Sequence, residues 1–169
     1  LEIKRRVHLP RDHAGLEVGR SGIHHIDHRI GRRPLLVGFA LLSDDGGKDF
    51  RTLETPYSGS FFTAELPSAH GLVIAGLRGN ILRSLDNGVS WTALASPTQA
   101  SITASAIQAD GDLLFANQAG MLMHERAGHL LPINRHPLPP LNNVLPTSQA
   151  GTVLVSGQGI SVLNAGDLK

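Results

Sequence analysis

The stretch Ser84-Leu85-Asp86-Asn87-Gly88-Val89-Ser90-Trp91 decides the reading of this chain, because Ser43-Asp44-Asp45-Gly46-Gly47-Lys48-Asp49-Phe50 anticipates it forty-one positions earlier. Both read S-x-D-x-G-x-x-aromatic, and each follows an apolar run. The pattern asks for a tight β-turn. A Ser hydroxyl and an Asp carboxylate can bond backbone N–H groups inside it, and Gly supplies the positive φ. The aromatic ring packs beneath as the chain re-enters a strand.

The repeat extends beyond the turns. His70-Gly71-Leu72-Val73-Ile74-Ala75-Gly76 and Asp110-Gly111-Asp112-Leu113-Leu114-Phe115-Ala116 open successive units, and Gly151–Leu163 and Pro34–Ser43 give the theme twice more. Gly79 and Gly120 stand one period apart. A period near forty residues made of short strands is the signature of a β-propeller blade. We therefore expect an all-β propeller of about four blades, each of four antiparallel strands, over the single domain 1–169. The blades fall at about 19–57, 58–97, 98–138 and 139–169, with prolines between them, where a missing N–H costs little. In the best blade the strands are Phe61–Leu66, Leu72–Gly76, Asn80–Ser84 and Ser90–Ala95; in the next, the turn has decayed to His124–Gly128. The last blade stops before an outer strand, whereas residues 1–10 read as a lone strand, so the N-terminal strand is expected to close the ring there. A complete small ring and half of a larger one, completed by a dimer or a second chain, both remain open.

The two boxes resemble the Asp-box, or BNR repeat, of sialidases, other glycoside-hydrolase propellers and photosystem II stability/assembly-factor-like proteins. The wording around Gly76–Trp91 is most similar to the assembly-factor-like group; the first box departs from it at Asp49 and Phe50. The resemblance implies a structural role for Ser43, Asp45, Gly47, Phe50, Ser84, Asp86, Gly88 and Trp91, outside any active site. It also implies an exported bacterial protein that assists assembly or stability of an envelope or membrane complex.

Composition narrows the function classes. Zero cysteines exclude disulfides and thiolate metal sites, and a formal net charge of +1 argues against general nucleic-acid binding. No apolar run is long enough for membrane insertion, and no signal-peptide pattern follows Leu1. No cofactor is expected. The basic residues crowd into the first thirty-three positions, among them Arg29, Arg32 and Arg33. With Arg78 they are candidates for docking an acidic protein or peptide partner; the plainer reading is edge protection of strands. Ile23-His24-His25-Ile26-Asp27-His28 is the most metal-like segment: on a strand, His24 and His28 share one face, and His25 and Asp27 the other. An i, i+2 pair alone is a poor metal site, and channel-lining histidines are the competing reading.

A glycosidase needs two carboxyls within roughly 5–10 Å, which turns on different blades do not offer. A sialidase-like site would further need a Tyr nucleophile, and Tyr57, the sole tyrosine, falls in a linker between blades. The expected function is thus a non-catalytic scaffold that binds a protein or peptide. A sialidase-like glycoside hydrolase and a carbohydrate- or metal-binding module are the competing classes.

Overall fold

The computed structural model describes residues 4–8, 15–22, 36–45, 48–134, 136, 138–147 and 151–164, the first two segments and residues 36–38 by backbone alone. The described strands form four separate antiparallel sheets. The first contains β1 (Lys4–His8), β2 (Gly15–Gly22), β3 (Leu36–Ser43) and β4 (Arg51–Leu53), and the second β5 (Phe61–Glu65), β6 (Leu72–Gly76), β7 (Ile81–Ser84) and β8 (Thr92–Ala93). The third contains β9 (Ile102–Ile107), β10 (Leu113–Asn117), β11 (Leu122–Arg126) and β12 (His129–Pro132). The fourth has three strands, β13 (Leu141–Pro146), β14 (Gly151–Ser156) and β15 (Gly159–Asn164). Within each sheet the strands pair in chain order, so each unit is a meander.

Three apolar layers hold neighbouring sheets together. Ala40, Leu42 and Leu53 of the first sheet meet Phe61, Leu72, Ile74 and Leu82 of the second. Val73, Ala75 and Ile81, on the other face of the second sheet, meet Ile102, Leu113, Phe115 and Met123. Ala104, Leu114, Ala116 and Leu122 then meet Leu141, Val144 and Leu154 of the fourth. This is why the second strands are continuous apolar runs: Leu72–Gly76 and Leu113–Asn117 are buried at every residue, because both faces are covered. Each fully buried Leu, Ile or Phe contributes about 1.5–3 kcal/mol relative to an exposed one.

The first strand of each sheet adjoins the next sheet's first strand, and in the second, third and fourth sheets it carries a device that the sequence pattern did not announce. Register shifts fall between Phe61 and Thr63, opposite Ala116 and Asn117 on β9, and between Leu141 and Asn143. The extra residues are Phe62, Thr103 and Asn142, one in each of the second, third and fourth sheets at the same place. A bulge there raises the local twist and turns one sheet relative to the next. Thr103 uses it directly: its hydroxyl donates to Leu141 O of the following sheet at 2.5 Å.

Two expectations are corrected. Lys4–His8 does not supply the outer strand of the last blade; it pairs antiparallel with Gly15–Gly22 as the first strand of the first sheet, which therefore begins well before residue 19. A short connection makes this local hairpin less costly in loop-closure entropy than a return across the molecule. His124–Gly128 is not a decayed box either. Arg126 pairs with His129 across Ala127 (φ 52) and Gly128 (φ 84), a two-residue turn with both central residues left-handed.

The repeated glycines Gly79 (φ 72) and Gly120 (φ 74) have one explanation: a Cβ on either would run into the carbonyl of the passing linker, Thr98 O or Leu138 O. Both positions need left-handed backbone and close approach at once.

Candidate functional site

The second box is a closed hydrogen-bonded turn. Ser84, at the end of β7, accepts the N–H groups of Asp86 (3.3 Å) and Gly88 (2.8 Å), and its hydroxyl donates to Asp86 Oδ1 (2.7 Å). Asp86 accepts from Val89 N–H (3.1 Å) and Ser90 N–H (2.9 and 3.1 Å), and from the Ser90 hydroxyl (2.6 Å). These bonds, that of the Ser90 hydroxyl first and then those of Ser90 N–H and the Ser84 hydroxyl, lower the Asp86 pKa from its ordinary 3.8 to about 2.

The first box repeats the scheme. Ser43 donates to Asp45 (2.8 Å), which accepts from Lys48 N–H (3.0 Å) and Asp49 N–H (3.1 Å). The Asp45 carboxyl is lowered, by Asp49 N–H first and the Ser43 hydroxyl next. Gly47 lies outside the described residues. A carboxyl held ionised in this way cannot serve as a general acid near neutral pH, and in both boxes the carboxylate is engaged by turn N–H groups.

The second box does more than close a hairpin. The indole N–H of Trp91 donates to Glu54 O (2.8 Å), Arg51 donates to Asn87 O (2.7 Å), and a Cβ on Gly88 (φ +83) would meet Leu53 Cδ2 at 2.7 Å. The turn of the second sheet is thereby clasped to the outer strand of the first. Trp91 is half-buried against the apolar layer between them rather than sealed beneath the turn.

At the opposite end of the sheets lies the β6–β7 connection, Leu77–Gly79. Tyr57 and the linkers gather here: the Tyr57 hydroxyl donates to Leu77 O (3.2 Å) and Arg78 N–H to Ser101 Oγ (3.4 Å). Tyr57 is thus engaged in linker packing, its ring edge-on to Phe61. Arg78 is exposed and takes φ 59, ψ 28. That left-handed backbone is unfavourable for a residue other than Gly or Asn and costs on the order of 1 kcal/mol.

Arg29, Arg32 and Arg33, and His24, His25, Asp27 and His28, lie outside the described residues. Gly22 and Leu36, between which they run, occupy the same strand ends as Gly76 and Ile81 on either side of Arg78. Among the described residues no three of His, Asp and Glu are placed to hold a metal ion.

Two networks that sequence reasoning missed join the second and third sheets. Arg83 meets Glu125 through two bonds (2.6 and 3.3 Å), with Glu125 buried. Thr63 and Ser105 share a buried hydroxyl bond (2.6 Å), and Ser105 donates to buried Glu65 (2.8 Å). The available signal was spacing, since Arg83 and Glu125, like Thr63 and Ser105, stand 42 positions apart, one more than the forty-one of the repeat.

No family model matches the sequence, and no curated protein matches it. Solved structures do match in fold. The chain is similar to YCF48 bound to D1 peptide (TM-score 0.60, 16% identity, 90% of this chain and 46% of that one) and to YCF48 from Cyanidioschyzon merolae (0.59, 14%, 93% and 51%). It is also similar to the extracellular domain of BT4673 from B. thetaiotaomicron (0.62, 12%, 94% and 21%). The chain spans about half the length of the first two structures and about a fifth of the third. Four meandering sheets stacked face to face, in a chain that overlays these structures over nine-tenths of its length, make this an all-β protein with the β-propeller fold.

Proposed function

We propose that the chain is a non-catalytic scaffold of the BNR-repeat kind, with both boxes acting as structural Asp-boxes, and that it binds an acidic peptide or protein segment at the end of the sheets that carries Arg78. The observation that carries this reading is Arg78 itself, a cation held exposed on left-handed backbone where glycine would relax the turn. Unfavourable backbone kept at an exposed position points to a use for the side chain. The segment bearing Arg29, Arg32 and Arg33 is attached at that same end, through Gly22 and Leu36. A similar fold captured with a peptide, YCF48 bound to D1 peptide, supports the binding class. In this reading the protein is exported and serves the assembly or stability of an envelope complex, in keeping with its likeness to an extracellular domain.

The test is binding of a fluorescein-labelled Asp/Glu-rich peptide across a salt series. Affinity should fall steeply as the Debye length shrinks from about 10 Å at 0.1 M to about 3 Å at 1 M. Arg78→Gly should raise Tm while weakening binding, and the triple change of Arg29, Arg32 and Arg33 to Ala should weaken it further without unfolding. Salt-independent binding, or turnover of a fluorogenic sialoside by the purified chain, would overturn the scaffold reading.

A further inference from the structure

Asn87-Gly88 is the one Asn-Gly pair in the sequence, and it sits inside the second box. An asparagine followed by glycine is chemically labile, because no Cβ shields the glycine nitrogen from the asparagine side chain. The deprotonated Gly88 nitrogen can attack Asn87 Cγ. A new C–N bond then closes a cyclic succinimide, the Cγ–Nδ2 bond breaks, and the amide nitrogen leaves as ammonia with the proton that Gly88 gave up. Solvent water opens the ring at either carbonyl and leaves aspartate or isoaspartate. The reaction needs a free Gly88 amide and an Asn87 side chain able to fold back onto it.

The closed box denies both. Gly88 is buried, and its N–H donates to Ser84 Oγ at 2.8 Å. Ser84 is itself only 1% exposed and is fixed by donating to Asp86 Oδ1 (2.7 Å). A buried, bonded amide gives up its proton only when its bond opens, as in hydrogen exchange. The Asn87 side chain is held elsewhere, with Nδ2 3.0 Å from His70 Nδ1. An amide nitrogen donates and does not accept, so His70 presents an unprotonated Nδ1 to it. The Asn87 main chain is tied to the same residue, its N–H donating to His70 O (3.0 Å). The first box has Gly46 in place of Asn87, so this chemistry belongs to the second box alone.

We propose that Asn87 is a site of spontaneous deamidation gated by the second box. The Ser84 hydroxyl keeps the Gly88 nitrogen unreactive while the box is closed, and each opening exposes the pair to conversion. The isoaspartyl product lengthens the main chain by a methylene inside a turn whose bonds run from Ser84 to Gly88 and from Asp86 to Ser90, so the box cannot re-form as before. It also displaces the Asn87 carbonyl that Arg51 holds at 2.7 Å, which unfastens the second sheet from the first. The second box thus keeps a covalent record of its own opening. This proposal stands apart from peptide binding.

The test holds the chain at mildly alkaline pH, native and in guanidinium chloride, and follows Asn87 by peptide mass spectrometry and ammonia release. In denaturant Asn87 should convert faster than any other asparagine of the chain. In the native chain conversion should be slowed by the same factor that protects the Gly88 amide from hydrogen exchange, because both pass through one opening. Ser84→Ala should raise the native rate by about tenfold, the population shift of one buried hydrogen bond, and leave the denatured rate unchanged. Asn87→Gln, which would need a larger ring, should stay unconverted. The isoaspartyl chain, separated by ion exchange, should melt several degrees below the unconverted one. Equal native and denatured rates, or a native rate unmoved in a folded Ser84→Ala chain, would overturn the gate. If Ser84→Ala does not fold, the comparison of conversion with Gly88 exchange decides the gate alone, and a mismatch overturns it. Faster conversion at another asparagine, or an isoaspartyl chain that melts with the unconverted one, would overturn the site or its consequence.

Discussion

At the scale of residues, the box turns convert sequence into hydrogen bonds almost one for one. Asp86 accepts from two backbone N–H groups and two hydroxyls, and its pKa of about 2 records them. Because the folded pKa lies below the unfolded one, the ionised carboxylate contributes stability that is fully present above the usual carboxylate range. That contribution is lost as the pH falls through about 2. Asp86→Asn should therefore lower Tm at pH 7, and its difference from wild type should shrink below about pH 4 and close near pH 2. A Tm gap that stays constant between those values would deny the turn this role. Trp91 joins two sheets from a half-buried position, so Trp91→Ala should cost about 2–3 kcal/mol in denaturant unfolding, less than a fully buried Trp. Trp91→Phe should recover all but about 1 kcal/mol, the share of the indole bond to Glu54 O.

Between elements, the Arg83–Glu125 pair ties β7 to β11 across the apolar layer. The Glu125 side chain is 7% exposed and that of Arg83 25%, so screening is weaker than at the surface. Glu125 also accepts Gly128 N–H (2.7 Å), which holds the Ala127–Gly128 turn. Removing Arg83 leaves a buried carboxylate without its main cation; removing Glu125 leaves Arg83 more solvent to reach. Arg83→Ala should therefore be the worse single change for its size, and a double-mutant cycle with Glu125→Ala should return a coupling of about 1–3 kcal/mol. Independent, additive losses would mean that the pair is only a surface contact.

For the molecule as a whole, the first strand of each sheet lies where neighbouring sheets adjoin. β1 holds that place in the first sheet, through its pairing with β2. Deleting residues 1–8 should strip the pairing partner from Gly15–Gly22, lower the unfolding temperature by several degrees and raise binding of a hydrophobic dye. An unchanged melting curve would reduce β1 to a dispensable tail.

Turn chemistry, glycine placement and strand limits were legible in the sequence because each depends on neighbours within a few positions. The S-x-D-x-G pattern specified its own hydrogen bonds, and the apolar run Leu72–Gly76 specified a strand covered on both faces. Period and strand content together gave four blades and the propeller fold. What needed the tertiary structure was every choice of partner across sheets. The same lone strand at Lys4–His8 can satisfy its ladder groups at either end of a ring, and only the assembled backbone chose the first sheet. Arg83 could serve a surface or a neighbour until Glu125 was brought beside it. The bulges at Phe62, Thr103 and Asn142 leave no mark in composition, because an extra residue is fixed by the twist between packed sheets rather than by its own side chain. The exposed face of the fourth sheet belongs to the same class: the alternation of Val153, Val155, Ile160 and Val162 could be read from the sequence, but that no described residue buries Ile160 and Val162 could be read only from the folded chain.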